Sequence, residues 1–344
     1  MRKKINLDKK LRNSDLKKRG KSVVKISPNS VSDPGPKNAL ESALARSSEL
    51  PPSTDHGQVD NFWFPFARAH KRIEVGGWSR QVTQRDLPVS TTIAGVNMRL
   101  IEGGIREMHW HMASEWAIVL YGNVRVTSMD PQGRSFINDL NPGDLWFFPS
   151  GYPHSIQGLG PDGCEFLLIF DDGNFSEDET FLISDWMAHT PTEILAKNFG
   201  FPKEAFKNIP ESELYIFAGE VTKSLKEDKN SIKSPLGNVP QSFSYNLYDQ
   251  KPNVLTKGGE ARIVDSSNFP ISTAIAAAFV KLNPGGLREM HWHPNADEWL
   301  YFIKGSGRVT VFASQGNTRT MDFNAGDVGY IPKSMGHYIE NTGD

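Results

Sequence analysis

From residue 76 onward, apolar and polar positions alternate in short runs, and Gly, Pro or Asp interrupts the pattern before a stripe of period 3.6 can build up. Residues 92–100, 116–121, 124–129, 145–148 and 166–170 are the clearest runs, each of strand length. Short strands punctuated by turn residues predict an all-β barrel or sandwich.

The pattern is written twice. Gly76 and Gly77 recur as Gly258 and Gly259, Pro88 and Ser90 as Pro270 and Ser272, and His109 as His291, an offset of 182 (291 − 109). After the next loop the offset becomes 183 (298 − 115), because residues 294–297 hold one residue more than 112–114. Residues 124–127 and 141–144 also return, as 307–310 and 324–327. Duplication of one domain explains this best. Between the copies, Pro191 in a first turn and Gly200 at a stop predict a helix, and 202–208 a second short one. This stretch is read as a connector without chemistry of its own. Residues 1–54, rich in Lys, Ser, Asn and Pro, predict a mobile basic N-terminal arm. The first domain is then 55–220 and the second 221–344.

Composition narrows the partners. A net charge of −2 over 344 residues implies no nucleic-acid partner, and no apolar run is long enough to imply a membrane one. The single cysteine, Cys164, stands before the apolar run 166–170 and reads as a buried strand thiol. With no disulfide framework and no apolar segment after the basic N-terminus, the expected location is cytoplasmic.

The chemistry lies in the repeat. In a strand His109 and His111 project from one face and Trp110 from the other, and Glu115 reaches the same point if the strand turns. A third histidine, His154, follows a Pro-x-Gly turn at 149–151, and the second copy supplies His291, His293, Glu298 and His337. A lone histidine is an ordinary residue, but two matched quartets at repeat positions predict two metal sites. Imidazoles with a carboxylate and no thiolate admit Mn, Fe, Ni, Cu or Zn. Arg106 and its repeat Arg288 stand three residues before a ligand histidine, with planar forks suited to a small carboxylate dianion. Trp110 and Trp292 are expected at domain or subunit interfaces, with a second reading as carriers of an electron hole between the metals.

These motifs resemble the cupin superfamily. The first copy fits through Gly103, His109, His111, Glu115 and Gly122, then Gly143, Pro149, Gly151 and His154, and the second through Gly285, His291, His293, Glu298, Gly305, Gly326, Pro332, His337 and Asn341. Departures are Gly158 for the last Asn of the first copy and Ser334 for a turn glycine of the second. Residues 106–111, 143–146, 170–173, 185–191 and 328–330 extend the resemblance to the bicupin oxalate decarboxylases. It implies duplicated double-stranded β-helix (jelly-roll) barrels with short connecting helices. It also implies Mn(II) in both domains, two per chain, dioxygen as co-substrate, and oxalate cleaved to formate and carbon dioxide. A homo-oligomer, a trimer or a hexamer of stacked trimers, is implied as well.

Residues 175–180 match the family's lid, which makes Glu177 the proton donor and Asp178 or Glu179 its rivals. Thr180 keeps a family position and is expected, with Arg106 and Arg288, to bind substrate. An oxalate oxidase or other cupin oxygenase is the alternative, and a non-catalytic storage or binding bicupin a more distant one. Residue 344 corresponds to 161 in the first copy (344 − 183), so the second barrel is expected to be truncated at its C-terminal end.

Overall fold

A computed structural model describes residues 40, 43, 46–177, 180–220 and 223–343. Asp178, Glu179 and most of the basic arm lie outside the described residues. The alternating runs are strands: Ala94–Leu100, Glu115–Gly122, Val124–Met129, Asp144–Phe148 and Cys164–Phe170.

The first half is two antiparallel sheets around one core. In order of pairing, one runs Ser244–Asn246, Asp144–Phe148, Glu115–Gly122, Cys164–Phe170, Ala94–Leu100, Gly77–Val82 and Lys71–Glu74. The other runs Phe181–Leu182, Gly104–Trp110, His154–Gly158, Val124–Met129 and Ser135–Leu140, and Ile216–Ala218 also pairs with Gly104–Trp110. Met98, Val126, Trp146, Ile156 and Phe166 meet in the core that the two sheets share. Cys164–Phe170 is buried on both faces: Phe166, Leu168 and Phe170 join this core, whereas Leu167 and Ile169 pack with Val264, Phe269, Val328 and Tyr330 of the second half. Alternation vanishes from that run because both of its sides are apolar, and each buried Phe contributes about 1.5–3 kcal/mol.

The second half repeats the plan with one difference. Its four-stranded sheet runs Leu287–His291, Gly336–Asn341, Ser306–Phe312 and Thr318–Asn324. Among the described residues no strand takes the place that Cys164–Phe170 fills in the first half. Ala277–Leu282 and Glu298–Tyr301 consequently belong to separate three-stranded sheets.

The halves exchange strands. Trp63–Pro65, from the N-terminal side, pairs with Asp327–Ile331 of the second half, and Ser244–Asn246 pairs with Asp144–Phe148 of the first. The Trp63 indole N–H donates to Asp327 Oδ2 at 3.0 Å, and Val59 and Phe62 join the second half's core. A boundary at residue 220 therefore follows the repeat along the chain and not the packing.

The arm, expected to be mobile over 1–54, is docked over its described end from Arg46. Asp322 N–H donates to Ser47 Oγ at 3.0 Å, and the Thr54 and Thr320 hydroxyls lie 2.8 Å apart. Small hydroxyl residues there satisfy polar groups of Thr318–Asn324, an option that a composition reading of the arm overlooks. The connector helix is Thr192–Phe199, which starts after Pro191 and stops at Gly200 in the left-handed conformation (φ 70°). A 3-10 turn, Lys203–Phe206, follows it.

Candidate metal centres

His109 lies inside the strand Gly104–Trp110, which ends one residue later, so His111 sits at the start of a turn and Glu115 opens the next strand. His154 opens its own strand and is the cross-strand partner of His109. His337 and His291 repeat that pairing. In each quartet the potential ligand atoms of His109, His111, Glu115 and His154, or of His291, His293, Glu298 and His337, all lie within 4.8 Å of one another.

Backbone carbonyls set the tautomers. Nδ1 of His109, His111 and His154 lies 2.6, 2.8 and 2.8 Å from the carbonyl oxygens of Glu107, Ala113 and Tyr152. In the second quartet His291 Nδ1 meets the Glu289 oxygen at 2.7 Å and His337 Nδ1 the Met335 oxygen at 3.1 Å. A carbonyl only accepts, so each of these Nδ1 atoms carries the proton and Nε2 presents its lone pair. Buried His154 Nε2 makes no hydrogen bond and lies 3.3 Å from Glu115 Oε2, two lone-pair atoms facing each other as they would around a cation. The residues present fit a divalent metal in both places.

Electrostatics separates the two centres. Burial alone would raise the Glu115 carboxyl, but positive charge at the facing His154 and His111 nitrogens, where a cation would sit, outweighs it and holds the group well below the usual carboxylate range. Burial, then Arg106 and the neighbouring histidines, pushes His109 well below its ordinary value, which keeps the imidazole neutral. Glu298 is likewise held down to about 2, by His293 and His337 against burial. His293 moves the other way, raised by its 2.7 Å contact with Glu298. Its side chain is 41% exposed, against 7% for His111. The first centre is enclosed and the second is open.

The first quartet also has neighbours with no counterpart among the described residues of the second. Trp146 Nε1–H donates to Glu115 Oε1 at 2.8 Å, whereas the repeat places Gly329 there (146 + 183). Arg106 is 1% exposed, Nη2 lies 3.3 Å from Glu177 Oε2, and its Nε and Nη2 make no hydrogen bond. A buried guanidinium with unused donors is built for an anion. Glu177 is buried and takes a hydrogen bond from the Tyr215 hydroxyl at 2.6 Å. Thr180 is buried in the same loop, with its hydroxyl directed to the Ser176 carbonyl at 3.4 Å. Arg288, in contrast, is 39% exposed, and its nearest carboxylate is Glu289 at 4.0 Å. Trp110 faces away from the quartet, stacked on Phe181 at 4.3 Å and edge-on to Trp186 at 6.0 Å. Trp292 is exposed.

The cupin family profile matches residues 66–207 and 245–344. Oxalate decarboxylase OxdC of Bacillus subtilis is 54% identical over 295 residues, covering 86% of this chain and 76% of that protein. A probable oxalate decarboxylase of Arthroderma benhamiae is 43% identical over 296 residues, covering 85% of this chain and 72% of the relative. The chain belongs to the oxalate decarboxylases of the cupin family. A solved structure concerned with the Mn(II) centres of the Bacillus subtilis oxalate decarboxylase matches with a TM-score of 0.87 and 51% identity, covering 93% of this chain and 84% of that one.

Within this oxalate decarboxylase fold, Tyr215, Glu107 and Trp146 stand at the first centre without having been singled out as site residues. Tyr215 comes from the connector, which was read as carrying no chemistry. Glu107, between Arg106 and Met108, looks like a solvated strand carboxylate, yet it is buried.

Proposed function

We infer that this protein decarboxylates oxalate to formate and carbon dioxide, with Mn(II) in both quartets and dioxygen as co-substrate. His109, His111, Glu115 and His154 would hold one metal and His291, His293, Glu298 and His337 the other. When bound, the metal together with dioxygen supplies the electron sink for cleavage of the carbon–carbon bond. The protein's own part is to bind, shield and protonate. Arg106, ion-paired through Nη2 with Glu177 and with Nε unbonded, turns its guanidinium edge to an oxalate carboxylate, and burial strengthens that contact. As one carboxyl group departs as carbon dioxide, the remaining carbon takes a proton from Glu177 and leaves as formate. The balance is oxalate dianion plus one proton to formate plus carbon dioxide, so Glu177 must be reprotonated between turnovers.

The observation that carries this reading is the pairing of Arg106, buried with unused donors, and Glu177, 3.3 Å away beside the first quartet. We place the catalytic domain at 55–220 with Thr180 as a further substrate contact, and the second metal domain at 221–344. The exposed Phe181 and Trp186, which pack on Trp110, favour a homo-oligomer, a trimer or hexamer. The one cysteine, free and buried, favours a reducing, cytoplasmic setting. No helix among the described residues is long and apolar enough to cross a membrane.

The test is an assay of formate, carbon dioxide and peroxide from oxalate at defined Mn loading, for wild type and Glu177→Gln. Formate should fall by roughly 10²–10⁴ in the variant while peroxide per oxalate rises. Unchanged formate would move the acid elsewhere.

A further inference from the structure

Tyr215 occupies a backbone conformation that a tyrosine seldom takes, with φ +55°. Such strain persists only where the surroundings over-determine it, and here they do. Glu107 Oε2 accepts the N–H groups of both Leu214 and Tyr215 at 3.0 Å, while its Oε1 accepts Ser184 N–H at 2.7 Å. The Tyr215 carbonyl accepts Glu107 N–H at 3.0 Å and Arg106 Nη1 at 3.3 Å. Guanidinium carbons of Arg72 and Arg106 lie 3.7 and 4.2 Å from the ring centroid. The hydroxyl is then delivered between Ser79 Oγ and Glu177 Oε2, 2.6 Å from each. Glu177 accepts from it, and Ser79 is left to donate to the phenolic oxygen.

The second half has no such clamp among its described residues. Glu289, the repeat of Glu107, is 85% exposed, and no connector strand pairs with Leu287–His291 on that side.

We propose that Tyr215, fixed by Glu107, is the positioning residue that holds the Glu177 carboxyl at the substrate, making the 214–216 connector segment a working part of the first centre. This rests on the reading of Glu177 as the proton donor. Burial and the adjacent Glu177 carboxylate push the phenol well above its usual range, so it stays a donor at working pH. A carboxyl pinned by the tyrosine and by Arg106 cannot swing away when one proton has been given and the next is due. Loss of that restraint lowers the share of decarboxylated intermediate that is protonated in time; in the remainder oxalate gives up two electrons in all to dioxygen, which takes two protons from solvent, so that oxalate dianion, dioxygen and two protons become two carbon dioxide and one hydrogen peroxide.

The experiment is a double-mutant cycle on Mn-loaded protein: Tyr215→Phe, Glu177→Gln and the pair, read as formate, peroxide, oxalate consumed and metal per chain. Tyr215→Phe keeps the ring and its stacking and removes only the hydroxyl. Its kcat for formate should fall by roughly ten- to a hundredfold, the size of one lost hydrogen bond to a charged group. KM for oxalate should stay within about twofold, metal content should not change, and the peroxide-to-formate ratio should rise. In the Glu177→Gln background the same change should have no further effect on oxalate consumption or product ratio, because two residues acting as a unit are not additive. If Glu177→Gln cuts formate but Tyr215→Phe keeps wild-type rate and ratio, the positioning role is wrong and the acid stands. If Tyr215→Phe costs the same factor in both backgrounds, its role is structural and the proposal fails. If Glu177→Gln itself leaves formate unchanged, the acid assignment fails with it. Ser79→Ala, which leaves the Tyr215 hydroxyl in place, should give a smaller shift in the same direction, and a loss of metal instead would also count against the proposal.

Discussion

Trp146 donates its indole N–H to Glu115, and the equivalent position in the repeat is Gly329, so among the described residues the carboxylate of the first quartet has an indole behind it and that of the second has none. Partners behind a ligand fix its direction and raise its affinity. Trp146→Phe should therefore weaken metal binding at the first centre by roughly 10–100-fold and leave the second alone. Metal retained per chain during chelator competition checks this, with His293→Ala as the background that isolates the first centre. Equal retention with and without the indole would assign Trp146 to core packing only.

Both quartets are expected to act independently. His111→Ala and His293→Ala should each remove about one metal from a holoprotein that carries two. Stoichiometry unchanged in either variant would remove that quartet from consideration.

Acid should strip the centres in a set order. A ligand imidazole must be neutral, and a proton competes with the metal below the imidazole's own pKa. His109 lies well below its ordinary value, so protons compete there only at low pH, whereas His293 is raised and competes at higher pH. As pH falls, metal should leave the second centre first. Metal content against pH, compared between His111→Ala and His293→Ala, reads the order directly, and earlier loss from the first centre would contradict it.

Arg106→Lys keeps the charge and loses the fork. Kcat/KM for oxalate should drop by roughly ten- to a hundredfold, since an ammonium cannot reproduce a planar two-donor contact in a buried site. Arg288→Lys, at an exposed position, should change it by less than about threefold. Similar losses at both positions would mean that turnover is shared.

The quartets were legible because duplication marks them: four ligand residues, three histidines and a glutamate, at repeat-related positions are visible without any knowledge of the fold. The helix ending at Gly200 was legible too, since a left-handed stop has a residue preference. Tyr215 had no such mark. Its positive φ is imposed by Glu107 from another strand, and a tyrosine gives no local sign of it, as a glycine or asparagine would. Glu107 was hidden because its neighbours alternate as on a half-exposed strand, while the connector that buries it lies about a hundred residues on, at Leu214. The exchange of Trp63–Pro65 and Ser244–Asn246 was invisible for a related reason. Local pattern marks a strand but does not name its partner.

That exchange binds the fates of the two halves. The strand bearing Glu298 lies beside Asp327–Ile331, which in turn holds Trp63–Pro65; the strand bearing Glu115 lies beside Asp144–Phe148, which holds Ser244–Asn246. Scission of the backbone near residue 220 would leave each fragment carrying a strand that belongs to its sister. Neither fragment should then assemble its sheet in isolation, but the two mixed together should reconstitute both, much as the parts of a clasp close only on each other.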